Sequence, residues 1–299
     1  MRSRIWTKSG IWAATSAALL LAAASVSTAG PVFLTGHDPD FHAQDSEGAR
    51  NLLRSGLSFV TGGTFDDGAA TRFLWVESRI APPGGHRIGE LGLGSLGLTL
   101  GTNYDRANAA EFATADLSGY TAIAIASSFG GLLTRAELDA LIARSTDIKN
   151  FINAGGGLLA LSECFPSSSS CLADLLAGPT APDLFGFLPV DVSFIAPSPP
   201  FSVTLEGAAA PFFLLNTDVN DPTHNSFGLI GGLTPLDRDQ GTQATTLAGD
   251  VLIDDGGFCG TPTTPPCSTD VPAPAGLALI ATGLLALAGI GRARKRSQK

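Results

Sequence analysis

Basic residues are scarce in the central part of this 299-residue chain. Of its 18 lysines and arginines, three precede Gly30 and five follow Asp270, and Lys149 is the only lysine between those positions. All 27 acidic residues lie in that central stretch, so its ten basic residues leave it a formal charge of −17. Such a field repels phosphate backbones, which makes nucleic acid an unexpected partner. It favours solubility outside the cell and attracts divalent cations.

The chain also lacks the C-x2-C spacing of zinc-binding motifs, and it contains no internal repeat. Its four cysteines fall into two local pairs, Cys164 with Cys171 and Cys259 with Cys267. In an exported chain, such pairs favour two local disulfides, although four cysteines allow three connectivities. A zinc site is the alternative interpretation.

The N-terminus has the three parts of a secretory signal peptide. Arg2, Arg4 and Lys8 precede an apolar run, Ile11 to Val26, and small residues follow it. Ser27 and Ala29 satisfy the small-residue rule, so residues 1–29 are predicted to be a signal peptide cleaved after Ala29. The expected partners are the Sec translocon and signal peptidase. An uncleaved N-terminal membrane helix is the alternative, against which the short apolar run argues.

No apolar run of about 20 residues, the length of a comfortable membrane helix, occurs at the C-terminus. The run 276–291 has sixteen residues, which as an α-helix would span about 24 Å. It ends at Arg292, Arg294, Lys295 and Arg296, and the positive-inside rule keeps such a cluster in the cytoplasm. The run has no polar face, so a soluble core helix is a poor alternative. A simple tail anchor stays open.

Residues 271–296 resemble the PEP-CTERM sorting signal of Gram-negative bacteria. Val271, Pro272, Ala273 and Pro274 are followed by an Ala/Gly/Leu-rich membrane helix and the basic end. Ala273 stands where the family usually has Glu. The resemblance implies that an exosortase recognises the chain and cleaves it near the prolines. It further implies a transient stay in the inner membrane and then transfer to the cell envelope or to extracellular polysaccharide.

The stretch 30–255 alternates short buried strands with amphipathic helices, which predicts an α/β domain with a mostly parallel sheet. A helix is expected to begin near Ser46, and Thr134 with Glu137 predicts a capping box at the start of another. The residues 256–270 are rich in Pro, Thr and Gly and are predicted to be a surface linker. The predicted strands are Pro31–Thr35, Thr71–Val76, Thr121–Ser127, Gly157–Glu163, Pro200–Leu205 and Pro211–Leu215.

The segment from Asp116 to Glu163 resembles the class I glutamine amidotransferase-like superfamily, including ThuA-like proteins. The shared features are the strand DLSGYTAIAIAS, a Gly-Gly loop, a capped helix and the strand GGGLLALSE. The resemblance implies a flavodoxin-like, three-layer domain with a nucleophilic cysteine at an elbow after such a strand. Here the elbow falls near Ser162 or Glu163, Cys164 comes one or two positions late, and Cys171 is a plausible disulfide partner for it. The nucleophile is therefore not carried over.

Ligands of doubly wound sheets bind at the carboxyl ends of the strands, where this chain places several polar side chains. His37, Asp38, Asp40 and His42 follow the first predicted strand and combine ligand types that suit a divalent metal or general acid–base groups. The alternative is a polar loop in which Asp38 or Asp40 caps a turn beside Pro39. No cofactor beyond such a metal is indicated.

Three functions are compatible with these features. The first is an exported binding module in the cell envelope, with a carbohydrate, a metal or a partner as its ligand. The second is an extracellular hydrolase-like enzyme that uses Asp40, His42, Glu163 and His224. The third is a structural matrix protein without a small ligand. Catalytic groups must share one substrate, so convergence of these side chains would favour the second.

Overall fold

The computed structural model describes residues 28–63, 72–128, 130–162, 175, 183–188, 194–195, 202–220, 225–228, 231–239, 243–254 and 257–260. All of them belong to one compact unit, Val26–Thr269. The predicted signal peptide, apart from its last two residues, and the predicted sorting signal lie outside the described residues. None of the helices in the described ranges is long and apolar enough to cross a membrane.

Eleven described strands form one mixed sheet. They are β1 Gly30–Thr35, β2 Phe73–Val76, β3 Tyr104–Ala107, β4 Ala122–Ile125, β5 Gly157–Leu161, β6 Phe194–Ile195, β7 Thr204–Leu205, β8 Ser226–Phe227, β9 Thr234–Arg238, β10 Ala244–Asp254 and β11 Gly257–Gly260.

The helical elements connect or flank these strands. They are α1 Pro39–His42, α2 Glu47–Val60, α3 Glu90–Ser95, α4 Ala109–Phe112, α5 Arg135–Ala143, α6 Ser145–Asn153 and α7 Asn216–Val219, with the 3₁₀ helices η1 Leu117–Gly119 and η2 Gly207–Phe212.

The core of the sheet is parallel, in the order β3-β2-β4-β5-β1. Beyond β1 the sheet continues through the antiparallel strand β10, which also pairs with β8, β9 and β11. The predicted α/β class with a large, mostly parallel sheet is therefore confirmed. The order is consistent with a flavodoxin-like core, whose strands are arranged 2-1-3-4-5. The strands β3, β2, β4 and β5 occupy the first four places of that arrangement in turn, and β1 occupies the fifth.

Alternation along the parallel strands builds two hydrophobic layers, because successive side chains of a strand point to opposite faces. Val32, Leu74 and Ile123 pack on the face covered by α4, α5 and α6. Phe33, Trp75 and Ala124 pack on the face covered by α2 and α3. Helices thus cover both faces, which buries β2, β4 and β5 completely and explains their continuous apolar sequences.

The predicted start of α2 is confirmed, because the hydroxyl of Ser46 accepts a hydrogen bond from the amide of Ala49. The capping box predicted at α5 is wrong. Thr134 is the N-cap but makes no capping bond; its hydroxyl donates to Glu137, whose other carboxylate oxygen accepts from the amide of Ala109 in α4. Glu137 therefore ties α4 to α5 rather than closing its own helix.

Two predictions for the second half of the chain are corrected. The apolar run Pro211–Leu215 is not a strand: it ends the 3₁₀ helix η2, and Phe213 adopts a left-handed conformation. The predicted linker 256–270 includes the strand β11, which pairs with β10 so that Gly260 lies opposite Val251. The run Pro200–Leu205 is described from Ser202 onward, and within that part Thr204 and Leu205 form β7.

Candidate functional site

The parallel sheet has its topological switch point between β2 and β4. These two strands are neighbours, and the chain leads from β2 to β3 on one side and from β4 to β5 on the other. Such a divergence opens a crevice at the carboxyl ends of the two strands, where ligands of open α/β sheets bind. Glu77 directly follows β2, and Ser127 follows β4 after one residue.

Glu77 lies at this edge with its side chain fully buried. One carboxylate oxygen accepts hydrogen bonds from the amides of Gly89 and Leu132. The other accepts from the amide of Glu90, at 3.1 Å, and from the indole N–H of Trp75, at 2.9 Å. Four donors from three parts of the chain therefore converge on one carboxylate, which joins the connections that follow β2 and β4.

Asp40 reaches the same edge from α1, directly after β1. Its Oδ2 accepts a hydrogen bond of 2.9 Å from the amide of Ser127. Its Oδ1 is buried and has no hydrogen-bond partner within the described ranges. Because a buried carboxylate oxygen without a donor is costly, the charged form of Asp40 is disfavoured at this position.

The two carboxylates are close neighbours. A Cβ added to Gly89 would lie 2.6 Å from Asp40 Oδ2 and 3.1 Å from Glu77 Oε1, so these two oxygens are at most about 5.7 Å apart. Burial raises the pKa of Glu77 to about 7, the hydrogen bond from Trp75 opposes that rise, and the charge of Asp40 adds to it. Burial likewise raises the pKa of Asp40, against the hydrogen bonds from Ser127. Near neutral pH Glu77 can therefore hold a proton.

The four side chains predicted as metal ligands do not converge. His37 Nε2 lies 3.2 Å from Asp237 Oδ2, and His42 Nε2 lies 3.4 Å from Asp38 Oδ2, whereas Asp40 turns to Ser127. Within the ranges the structure covers, no three His, Cys, Asp or Glu side chains are grouped as metal ligands. His37 and Asp40 have partners in distant parts of the chain, whereas His42 and Asp38 face each other one helical turn apart.

Of the predicted catalytic set, Asp40 and His42 lie in the described ranges and Glu163 and His224 do not, so the set stays a prediction. Asp40 is fully buried, and His42 is turned toward Asp38. The cavity bounded by His37, Asp38, His42 and Asp218 has a volume of about 10 Å³, close to the space for one water molecule. This cavity is too small for a substrate.

Several predicted residues lie outside the described residues. They are Glu163, Cys164, Cys171, His224, Cys267 and the sorting residues Val271, Pro272, Ala273, Pro274, Arg292, Arg294, Lys295 and Arg296. The backbone of Cys259 is part of β11, but its side chain lies outside the described part of the structure. The predicted disulfides, the elbow chemistry and the sorting signal therefore stay predictions.

Glu77 is the residue that sequence reasoning missed. It is the first residue after a buried strand, the same signal that singled out the residues after β1, β4 and β5. The signal was overlooked because Glu77 stands alone in the sequence: the partners that converge on it are backbone amides and an indole, which no side-chain motif reveals.

Open space lies on the surface. A groove of about 440 Å³ runs between α2 and η2, and a second, of about 590 Å³, lies by the amino ends of β1 and β5. Both volumes fall in the range of small-ligand sites.

Comparisons with known proteins found no match for this chain, whether among family models, curated proteins or solved structures. Its function must therefore be argued from its own residues.

Proposed function

We propose that this protein is exported, is processed by an exosortase, and acts in the cell envelope or extracellular matrix through an α/β binding module. The sequence features at the two ends support export and processing. One structural observation supports a binding module: within the described residues, the cavity beside His37, Asp38 and His42 has a volume of only about 10 Å³, whereas two surface grooves have volumes of about 440 and 590 Å³. A binding protein needs only an accessible surface, and a hydrolase needs a cleft that holds the scissile bond beside its catalytic groups.

A hydrolase-like enzyme is the second candidate. The observation in its favour is the pair Asp40 and Glu77 at the switch point, because carboxyl groups with raised pKa values in one site are typical of acid–base catalysts. The full burial of both side chains weighs against it. The glutamine amidotransferase-like resemblance adds no nucleophile to this site, because Cys164 comes one or two positions after the elbow expected near Ser162 or Glu163. A structural matrix protein without a small ligand is the third candidate.

Peptide mapping of the protein made by its host tests export and processing. The expected product begins at Gly30 and has lost the basic end. As a matched variant, replacing Arg292, Arg294, Lys295 and Arg296 by Gln should leave the N-terminal cleavage intact and abolish the C-terminal one, because exosortase processing is proposed to need the basic end. A final envelope product that still carries Arg292–Arg296 would overturn the processing proposal.

A substrate screen separates the binding module from the enzyme. The purified exported protein is incubated with ester, amide and glycoside substrates, beside an Asp40→Asn variant. No turnover above background by either protein is the expected result. Turnover that the wild type shows and the Asp40→Asn variant loses would establish the hydrolase instead.

A further inference from the structure

The groove between α2 and η2 has a mixed lining that suits a specific ligand. Three phenylalanines contribute rings to it, together with an arginine, an asparagine and two serines. Its lining residues are Asn51, Arg54, Ser55, Ser58, Phe59, Pro211, Phe212 and Phe213. A bond from the hydroxyl of Ser55 to the carbonyl of Phe212, 3.0 Å long, joins the two walls. This hydrogen bond fixes the position of the two walls relative to each other.

Phe213 is the unusual residue of this lining. Its backbone is left-handed, with φ 55° and ψ 29°, and it is the only non-glycine residue with positive φ in the described ranges. A bulky side chain in that conformation costs about 1–2 kcal/mol. Its ring is 90% exposed, so burial does not offset the cost. A strained backbone that presents an aromatic ring to solvent is a feature that ligand contact would explain.

The other two rings form a fixed base. The ring of Phe212 lies 5.0 Å from that of Phe59 and 5.9 Å from that of the buried Phe33, as measured between ring centroids. These tilted aromatic contacts fix Phe212 against the domain core. The groove thus combines an anchored aromatic wall with one ring, that of Phe213, at the solvent side.

Arg54 is the charged residue of the groove lining. It is exposed on α2 and makes no hydrogen bond or ion pair to any residue in the described ranges. The central stretch of the chain carries a charge of −17. Because Arg54 forms no ion pair with an acidic residue of the described ranges, its guanidinium is available to bind an anionic ligand. Its guanidinium has the planar fork that binds carboxylates through two parallel hydrogen bonds.

We propose that the α2–η2 groove binds an acidic glycan, with sugar rings against Phe59, Phe212 and Phe213 and a uronate carboxylate on Arg54. This inference rests on the proposed binding function and names its site and ligand class. A pyranose ring has an apolar C–H face and a rim of hydroxyls, which matches rings beside Asn51 and Ser58. The volume of about 440 Å³ holds a short oligosaccharide.

The test compares two trisaccharides that differ in charge. Calorimetry measures the binding of trigalacturonic acid and of galactotriose to the purified exported protein. The acidic trisaccharide should bind at least tenfold more tightly, and raising the salt concentration should reduce that preference. Arg54→Gln should remove the preference and keep the weak binding of galactotriose. Phe213→Ala should weaken the binding of both.

Three further variants separate binding from folding. Phe213→Gly relieves the left-handed strain, so it should retain the thermal stability of the wild type and still lose at least tenfold in affinity. Lys149→Gln removes a positive charge elsewhere, and Leu215→Ala removes a 63% exposed side chain outside the groove. Both controls should bind like the wild type.

The outcomes distinguish this inference from the function on which it rests. Failure of the folded protein to bind trigalacturonic acid, equal affinity for the two sugars, or an equal effect of Leu215→Ala would overturn the groove assignment alone. Mass spectrometry of the recovered sugar should find it intact. Cleaved trigalacturonic acid would overturn the non-catalytic binding function instead.

Discussion

The carboxylates of Asp40 and Glu77 meet beside a residue that has no side chain, Gly89. Each belongs to a different connection of the sheet, since Asp40 follows β1 and Glu77 follows β2. A methyl group on Gly89 would lie within 3.1 Å of an oxygen of either one, so glycine is required for the two to approach. Burial and mutual repulsion raise the pKa of Glu77, which gives this pair measurable consequences.

The first prediction concerns the charge of Asp40. In an Asp40→Asn variant the pKa of Glu77 should fall below its wild-type value of about 7, because the repulsion between the two carboxylates is removed. Carbon-13 NMR of the glutamate side-chain carboxyl carbons, followed through a pH titration, measures it. Asp139→Asn is the matched control, since Asp139 is an exposed partner of Arg135. An unchanged Glu77 midpoint in Asp40→Asn would show that burial alone sets its pKa.

The second prediction is a loss of stability as the pH rises. The pKa of Glu77 is raised on folding from its ordinary value of 4.5 to about 7, so the folded state holds a proton that the unfolded state releases. The contribution is fully present below pH 4.5 and is lost as the pH rises through about 7, by about 3 kcal/mol for this group. Urea unfolding between pH 4.5 and pH 8 measures it.

Glu77→Gln supplies the matched variant for that pH dependence. It should flatten the decline with pH, because an amide does not titrate in this range. Its overall stability should nevertheless be lower. The NH2 group of the glutamine would replace one carboxylate oxygen and face N–H groups that now donate hydrogen bonds to that oxygen. A variant with the wild-type slope would locate the pH dependence elsewhere.

The third prediction concerns Asp237, which joins β9 to the end of β1. Its carboxylate contacts His37 Nε2 at 3.2 Å and accepts hydrogen bonds from the hydroxyls of Thr245 and Thr246. Asp237→Ala leaves these buried groups without their acceptor, so it should lower the free energy of unfolding by about 3 kcal/mol. Asp250→Ala, at an exposed position of β10, should change it by less than about 0.5 kcal/mol. Similar losses in the two variants would contradict a specific role for Asp237.

The fourth prediction tests the packing of α2 on the sheet. A Cβ at Gly157 would lie 1.9 Å from the carbonyl oxygen of Val60, at the end of α2. Gly157→Ala should therefore destabilise the domain by about 3 kcal/mol, as overpacking of a rigid backbone does. Gly119→Ala meets open space and should be nearly neutral. Thermal unfolding of both variants checks the difference, and equal melting temperatures would show that α2 can shift.

Much of the parallel core could be predicted from the sequence, because each of its strands carries a local signal. Phe73–Val76 and Ala122–Ile125 are short β-branched or apolar runs, and Ser46 is a strong helix N-cap. The antiparallel extension of the sheet could not be predicted from the sequence. The run Pro211–Leu215 is apolar enough for a strand, but five residues show no period that separates a strand from a helix. Its 3₁₀ turn depends on the contact between Phe212 and α2.

The candidate site was predicted only in part, for a similar reason. Asp40 follows a buried strand and was found, but its partner Ser127 is 87 positions away in the chain. His37 and Asp237 are 200 positions apart, and nothing local links them. Spacing within the stretch His37–His42 instead predicts a metal site, because short-range patterns describe neighbours in sequence, whereas His37 and Asp40 find their partners in distant parts of the chain.

The position of β1 also bears on how the chain is assembled. Among the described strands it is the first to be synthesised, yet its two neighbours are β5, where Val32 pairs with Leu158, and β10, where Gly30 pairs with Val251. The innermost strand therefore waits for almost the entire domain before it can pair on both sides. Contacts of such separation make folding slow. Until the residues of β10 have been synthesised, one edge of β1 therefore lacks the strand that pairs with it in the folded domain.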